Sequence, residues 1–339
     1  SSTSAANSEV IIPTTIPAGA RIAFQWEETS TTYYDCGIDN LVVSMAPDCA
    51  KPTAVTVSNV TAHTAEVAWT NGSEESAWTI DYNGTEIAAD SNPFTLTGLD
   101  AATNYTVKVK ANCSEESESE WSTIVNFLTE CETNTTFPYV QDFEATTFPP
   151  TCWFQTRLAG SATSTNYANG AWARYGYSNG SNTTAQAQLC DDKAGNLHQL
   201  ITGAQEFTYA GGYILSVDVY RNTSLYATEG IRIYVNNEPT VNANATELAF
   251  ISRNYTVAST VNSDIVGAET ASGWYTYELP ITATGVNYII FQGESQYGSS
   301  TYMDNVRIGE APTCPKPTGV TVSNVTAHTA DIAWTAAEE

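Results

Sequence analysis

The groups in this 339-residue chain that could carry chemistry are its 37 acidic residues, three histidines, seven cysteines and one aromatic-rich stretch. Histidine is the usual proton shuttle at neutral pH. His63 and His328 fall at the same position of an internal repeat and read as surface residues, while His198 has no G-x-S-x-G or other nucleophile motif to serve. Glycoside hydrolysis needs two facing carboxylates, and no local pattern singles out a pair. The chain therefore reads as non-enzymatic. The stretch Tyr167–Asn182, YANGAWARYGYSNGSN, suits recognition better. Exposed rings stack on sugars while asparagine amides bond hydroxyls, which makes Trp172, Tyr175 and Tyr177 the candidate glycan contacts. The competing expectation is that some of these rings are core. On a strand Tyr175 and Tyr177 share one face and Trp172 takes the other.

Charge narrows the partners. A net charge of −25 with only 12 Lys and Arg excludes a nucleic-acid ligand and disfavours an anionic membrane surface. The acidity keeps modules soluble and apart, and some of the carboxylates are candidates to hold Ca²⁺, which takes several oxygen ligands. The cysteines form no CxxC pair and no Cys/His cluster of zinc spacing. Disulfides in an oxidising, extracellular setting account for them better. No membrane-inserting segment or lipidation motif is present, and a chain that opens inside a domain says nothing about export by lacking a leader. Twelve N-x-[ST] sequons, Asn59, Asn83, Asn104, Asn222 and Asn254 among them, carry little weight in so Asn- and Thr-rich a chain.

The elements that must position these groups are short strands. Ala46–Thr70 and Ala311–Thr335 match at twenty of twenty-five positions, and each follows an Asp-Asn pair, Asp39-Asn40 and Asp304-Asn305. A repeat of that fidelity predicts four segments. Residues 1–46 read as the end of a β domain, with strand-like runs at 20–26 and 38–43. Residues 47–130 and 131–311 read as whole domains, and 312–339 as the start of a second copy of the former. Thr, Ser, Asn, Val and Tyr abound and helical periodicity is absent, so the fold class is all-β.

Seven runs fill the second segment: Val55–Val60, Glu66–Thr70, Trp78–Tyr82, Thr85–Ile87, Phe94–Leu96, Tyr105–Ala111 and Ile124–Thr129. With Trp69 in the second run, and Leu99-Asp100-Ala101-Ala102-Thr103-Asn104-Tyr105 leading into the sixth, this segment resembles a fibronectin type III domain. Ala101 stands where that family has Pro. The resemblance implies that Tyr105 is the corner tyrosine. It also implies a Cys49–Cys113 disulfide, since one precedes the first strand and the other follows the sixth. The run Ser114–Glu120 reads as a solvated acidic tip.

The third segment carries strand runs at 212–220, 230–236, 247–253, 274–279, 287–292 and 302–308, which suggests a two-sheet jelly roll. Its motifs run in a recognisable order. Asp142-Phe143-Glu144 with Phe148-Pro149-Pro150-Thr151-Cys152-Trp153 comes first, then Gln199–Thr202, Tyr213–Val219, Glu229–Val235, Gly273–Tyr275 and Tyr302–Val306. In this order it resembles the cleaved-adhesin or choice-of-anchor J jelly rolls of Bacteroidetes-type surface proteins, relatives of MAM domains. The resemblance implies calcium held where first and last strands meet, on Glu144 and Asp304, with Asp142, Asn305 and Glu229 as further oxygen donors.

These readings converge on an extracellular, secreted or cell-surface repetitive adhesin or appendage. Jelly rolls would be presented on fibronectin type III spacers, with glycans, cell-surface proteins or neighbouring repeats as partners. The alternatives are the carbohydrate-binding accessory region of a secreted hydrolase, or a structural filament subunit that self-associates through its incomplete ends.

Overall fold

The structure, a computed structural model, describes residues 21–25, 48–160, 171–176, 185–189, 194–223, 226–261, 264–266, 268–296, 300–313 and 318–335. Every regular element among them is a strand, and they divide into two compact units. Of the predicted strand pair in residues 1–46, only 21–25 are described. They form no strand, and Ile22 and Phe24 are exposed. The other run of that pair lies outside the described residues.

The first unit holds a sandwich of eight strands: β1 (Thr53–Ser58), β2 (Thr64–Thr70), β3 (Trp78–Tyr82), β4 (Thr85–Ala89), β5 (Phe94–Thr97), β6 (Asn104–Ser114), β7 (Ser117–Glu118) and β8 (Val125–Leu128). One sheet runs β1-β2-β5 and the other β4-β3-β6-β7, with β8 also on β6. Period-two alternation makes both inner faces. Ala65, Val67 and Trp69 point in from β2, and Tyr105, Val107, Val109 and Ala111 from β6. Trp69 meets Trp78 edge-on at 5.2 Å, and Tyr105 stacks on Phe127 at 5.5 Å. Asn83-Gly84 turns β3 into β4 with both residues at positive φ, the geometry of a two-residue hairpin.

The predicted disulfide is present: Cys49 and Cys113 are bonded with Cα atoms 5.8 Å apart. Closing a 64-residue separation, it is worth about 4 kcal/mol in the loop-entropy account. The acidic run is the solvated tip expected, with Glu115, Glu116, Glu118 and Glu120 all exposed. It folds back as β7, and Glu118 pairs with Lys110.

The second unit contains β9 (Tyr139–Gln141), β10 (Phe154–Ala159), β11 (Trp172–Tyr175), β12 (Gln186–Leu189), β13 (Ala194–Ile201), β14 (Gln205–Phe207), β15 (Tyr213–Arg221), β16 (Gly230–Asn236), β17 (Thr246–Ser252), β18 (Ser259–Val261), β19 (Asp264–Val266), β20 (Gly273–Ile281), β21 (Gly285–Gln296) and β22 (Thr301–Glu310). An eight-stranded sheet runs β10-β13-β21-β16-β17-β18-β19, with β14 also on β21. A six-stranded sheet runs β11-β12-β22-β15-β20, with β9 also on β22. Most neighbours in these orders are not consecutive in sequence, as a jelly-roll sandwich requires. Between the sheets lies one core, including Leu215, Val217, Ile231, Ile233, Phe291 and Met303. Trp153 stacks on Phe291 at 5.9 Å, and the adjacent Cys152 is bonded to Cys131. Cys36, Cys190 and Cys314 lie outside the described residues.

A last hairpin, β23 (Thr318–Ser323) and β24 (Asp331–Thr335), repeats the pairing register of β1–β2, with its second strand two residues shorter. Thr318↔Thr335, Thr321↔Ala333, Val322↔Ile332 and Ser323↔Asp331 reproduce Thr53↔Thr70, Thr56↔Ala68, Val57↔Val67 and Ser58↔Glu66, irregularity included. Its burial differs. Trp69 is 7% exposed, whereas Trp334 is 58% exposed, with Val320 and Ile332 similarly open.

Candidate binding surface

The six-stranded sheet buries one face and turns the other outward. On β15 the inward set is Leu215, Val217, Val219 and Arg221, which leaves Ser216, Asp218 and Tyr220 outside. Register then decides what stands beside them. Tyr220 pairs with Trp274 on β20 and with Tyr302 on β22, so three aromatic residues from three strands form one row across the sheet. Ring centroids are 5.5 Å apart for Tyr220–Trp274 and 6.2 Å for Tyr220–Tyr302. Tyr175, on β11, extends the row with its ring 5.6 Å from that of Tyr302. All four are half-buried. Gln188, facing Tyr302 in the register, donates to its hydroxyl at 3.3 Å and to Ser300 at 2.8 Å.

A polar row runs alongside, two residues away on β15 and β20 and three on β22. Asp218 stands opposite Thr276 and accepts from its hydroxyl; its other oxygen accepts from the Asn305 amide at 2.8 Å. Asn305 reaches the outer face through a bulge. The β15–β22 register slips between Ser216 and Asp218, and Asn305 has φ +50°. Asparagine tolerates that left-handed conformation better than most residues, and an extra residue in one strand redirects its side chain.

The predicted acidic site falls at the edge of β22. β9 ends against it at Val306↔Gln141 and β12 begins against it at Ala187↔Met303, so residues 142–144 and 185 meet near Asp304. Glu144 accepts from the Ala185 amide at 2.8 Å, Asp142 from the Glu144 amide at 3.2 Å, and buried Asp304 from the Asn305 amide at 2.8 Å. Arg174 donates to the carbonyls of Phe143 and Glu144 and braces the turn. These are hard oxygen donors of the kind Ca²⁺ takes. Among the described residues, however, no three His, Cys, Asp or Glu side chains cluster closely enough to hold a metal. Glu229 is not part of this edge. It precedes β16 in the other sheet and forms a buried ion pair with Arg253 at 3.1 Å. Asn305 spends its amide on Asp218.

Trp172 corrects the sugar-contact expectation. It is 1% exposed, belongs to the core, and its indole donates to the His198 carbonyl at 2.9 Å. The reason is parity: on β11 the register puts Trp172 inward opposite Leu189 and Tyr175 outward opposite Gln186. Gly293 makes the room, since a Cβ there would lie 2.1 Å from Leu189 Cδ2 and 3.3 Å from the indole. Tyr177 lies outside the described residues. Tyr220, Trp274 and Tyr302 were missed because they sit far apart in sequence; only their shared strand parity could have hinted at one face.

His63 and His328 lie on the surface, as their repeat position led one to expect. His63 is half-exposed, its Nδ1 2.8 Å from the Leu99 carbonyl. That bond, with Glu132 nearby, raises its pKa. His198 is buried, and its Nδ1 has no hydrogen-bond partner. Burial, with Arg157 opposite across the strand pair, pushes its pKa down to about 4.

The chain is all-β, and its described residues include two sandwiches, the larger with a cluster of aromatic rings on one outer face. Residues 50–127 match the fibronectin type III domain family. No curated protein matches the chain. Among solved structures, the K1 cleaved adhesin domain of Lys-gingipain from Porphyromonas gingivalis W83 is similar at 17% identity and a TM-score of 0.36, covering 52% of this chain and 100% of that one. A carbohydrate-binding module structure of the β-sandwich superfamily is similar at 12% identity and 0.32, covering 77% and 99%. The FN5 domain of Drosophila Lar is similar at 18% and 0.22, covering 25% and 99%. No helix is long and apolar enough to cross a membrane among the described residues.

Proposed function

We propose that this chain is part of an extracellular, non-enzymatic surface protein, an adhesin or appendage. The larger sandwich makes the attachment, and fibronectin type III sandwiches space it. The observation that carries the reading is the aromatic cluster Trp274–Tyr220–Tyr302–Tyr175: four large, half-buried rings gathered on the outward side of a well-packed sheet mark an interaction face. Two disulfides fit an oxidising compartment. The hairpin β23–β24 supports a second spacer starting near residue 312, because it copies the β1–β2 register while its apolar side remains uncovered. A calcium ion on Glu144 and Asp304 would pin β9 against β22, and because no third acidic side chain among the described residues converges there, backbone carbonyl oxygens would have to complete its shell.

Beads coated with the full chain test the reading against cells, mucin-coated glass and polysaccharide-coated glass. Attachment to at least one surface, reduced by Trp274→Ala, is the expected result. Attachment no better than albumin-coated beads, or untouched by the substitution, refutes it. Release of reducing sugar from any polysaccharide would refute the non-enzymatic part and favour a hydrolase.

A further inference from the structure

The attachment face has a chemistry specific enough to name its ligand class. We propose that it takes a neutral, extended glycan chain, laid across the six-stranded sheet along Trp274, Tyr220, Tyr302 and Tyr175; this rests on the reading of that face as the binding surface.

Three features converge. Trp274, Tyr220 and Tyr302 stand level in the register across three strands, with rings 5.5 and 6.2 Å apart, and Tyr175, two residues out of level with them, leans in to 5.6 Å from Tyr302. No ring lies flat on its neighbour: the interplanar angles are 54°, 79° and 53°. Beside the rings runs the row Thr276–Asp218–Asn305, roughly 7 Å along the strands. The Asp218 carboxylate is an acceptor with more lone pairs than the two bonds it receives, so it suits hydroxyl donors. Gln188 adds an amide at the Tyr302 end. Stacking faces beside hydroxyl acceptors are what a sugar ring presents partners to: apolar C–H faces with equatorial hydroxyls at the rim.

Charge selects among glycans. A carboxylate sits at the middle of the polar row, and the chain carries −25 overall, so uronic-acid or sulfated polymers are repelled. A protein interface is depleted of charged residues at its core, whereas the Asp218 carboxylate stands directly beside these rings.

Native affinity electrophoresis of the full chain provides the test, through gels containing a β-glucan, a mannan, a xylan or, as the anionic control, polygalacturonate. At least one neutral polymer should retard the protein and polygalacturonate should not. Trp274→Ala and Tyr220→Ala should each weaken retardation by about tenfold or more, the size of a buried aromatic hot spot. Trp274→Phe, which keeps a ring on the strand, should retain most of it. Should an alanine variant fail to fold, indole fluorescence carries the test. The retarding polymer should change the signal of wild type but not that of Trp274→Phe.

No retardation by any neutral polymer, equal retardation by polygalacturonate, wild-type retardation of both folded alanine variants, or a fluorescence change undiminished in Trp274→Phe would overturn the proposal. Bead attachment that depends on Trp274 without retardation by neutral polymers would sink the glycan and leave the binding face standing. Loss of both results would sink both.

Discussion

Protonating His198 should destabilise the larger sandwich, and the pH window follows from its surroundings. His198 lies on β13, 5% exposed, with Arg157 opposite on β10 and no partner for Nδ1. Burial first, and the Arg157 charge second, hold its pKa at about 4 against 6.5 for the free side chain. The folded pKa lies below the unfolded one, so on acidification the unfolded chain takes up the proton first. Stability from this group is therefore complete above pH 6.5 and is lost as pH falls toward 4. A shift of this size corresponds to roughly 3 kcal/mol at full strength, and screening of the exposed Arg157 charge brings that to about 2 kcal/mol. The assay is urea unfolding of wild type and His198→Gln at pH 7.5 and 4.5. Other titrating groups are common to both proteins and cancel in the comparison. Wild type should lose about 2 kcal/mol more than the variant between the two pH values. Equal losses, or an NMR titration placing His198 above pH 6, would refute the reasoning.

Trp172→Ala should cost about 3–5 kcal/mol, because it empties a core position and removes the bond to the His198 carbonyl; an unchanged melting temperature would return Trp172 to the surface. Gly230→Ala should cost about 1–3 kcal/mol, since its Cβ would lie 2.1 Å from the Ile251 carbonyl oxygen and backbone must move. Thermal unfolding checks it, and a neutral result would mean that β16 and β17 sit further apart. If Glu144 and Asp304 hold calcium, a chelator should lower the melting temperature by several degrees and added Ca²⁺ restore it, because an ion bound only to the folded state stabilises it. An identical melting curve rejects the ion.

The strands were legible because their causes are local. Trp78–Tyr82 and Tyr105–Ala111 were bounded to within a few residues by alternation and flanking turns. Short elements such as β10, β12 and β14 escaped, since three to six residues are too few to establish a period. Of the sugar-contact candidates, strand parity had already set Trp172 against Tyr175, but parity alone does not say which side is core. Packing decided it: Gly293 opens space beneath Trp172, while Tyr175 faces outward beside Tyr302.

The all-β class, the early sandwich and the Cys49–Cys113 bridge belong to the sequence itself. They follow from period-two patterning and turn residues, and from a resemblance carried on a handful of neighbouring positions. The aromatic row and the β22 edge do not. Residues 175, 220, 274 and 302 meet only because β11, β12, β22, β15 and β20 lie in that order at one particular register. A one-residue slip would turn Tyr220 and Trp274 into the core. Strand order across more than a hundred residues is settled by burying two faces at once, and no local signal encodes it.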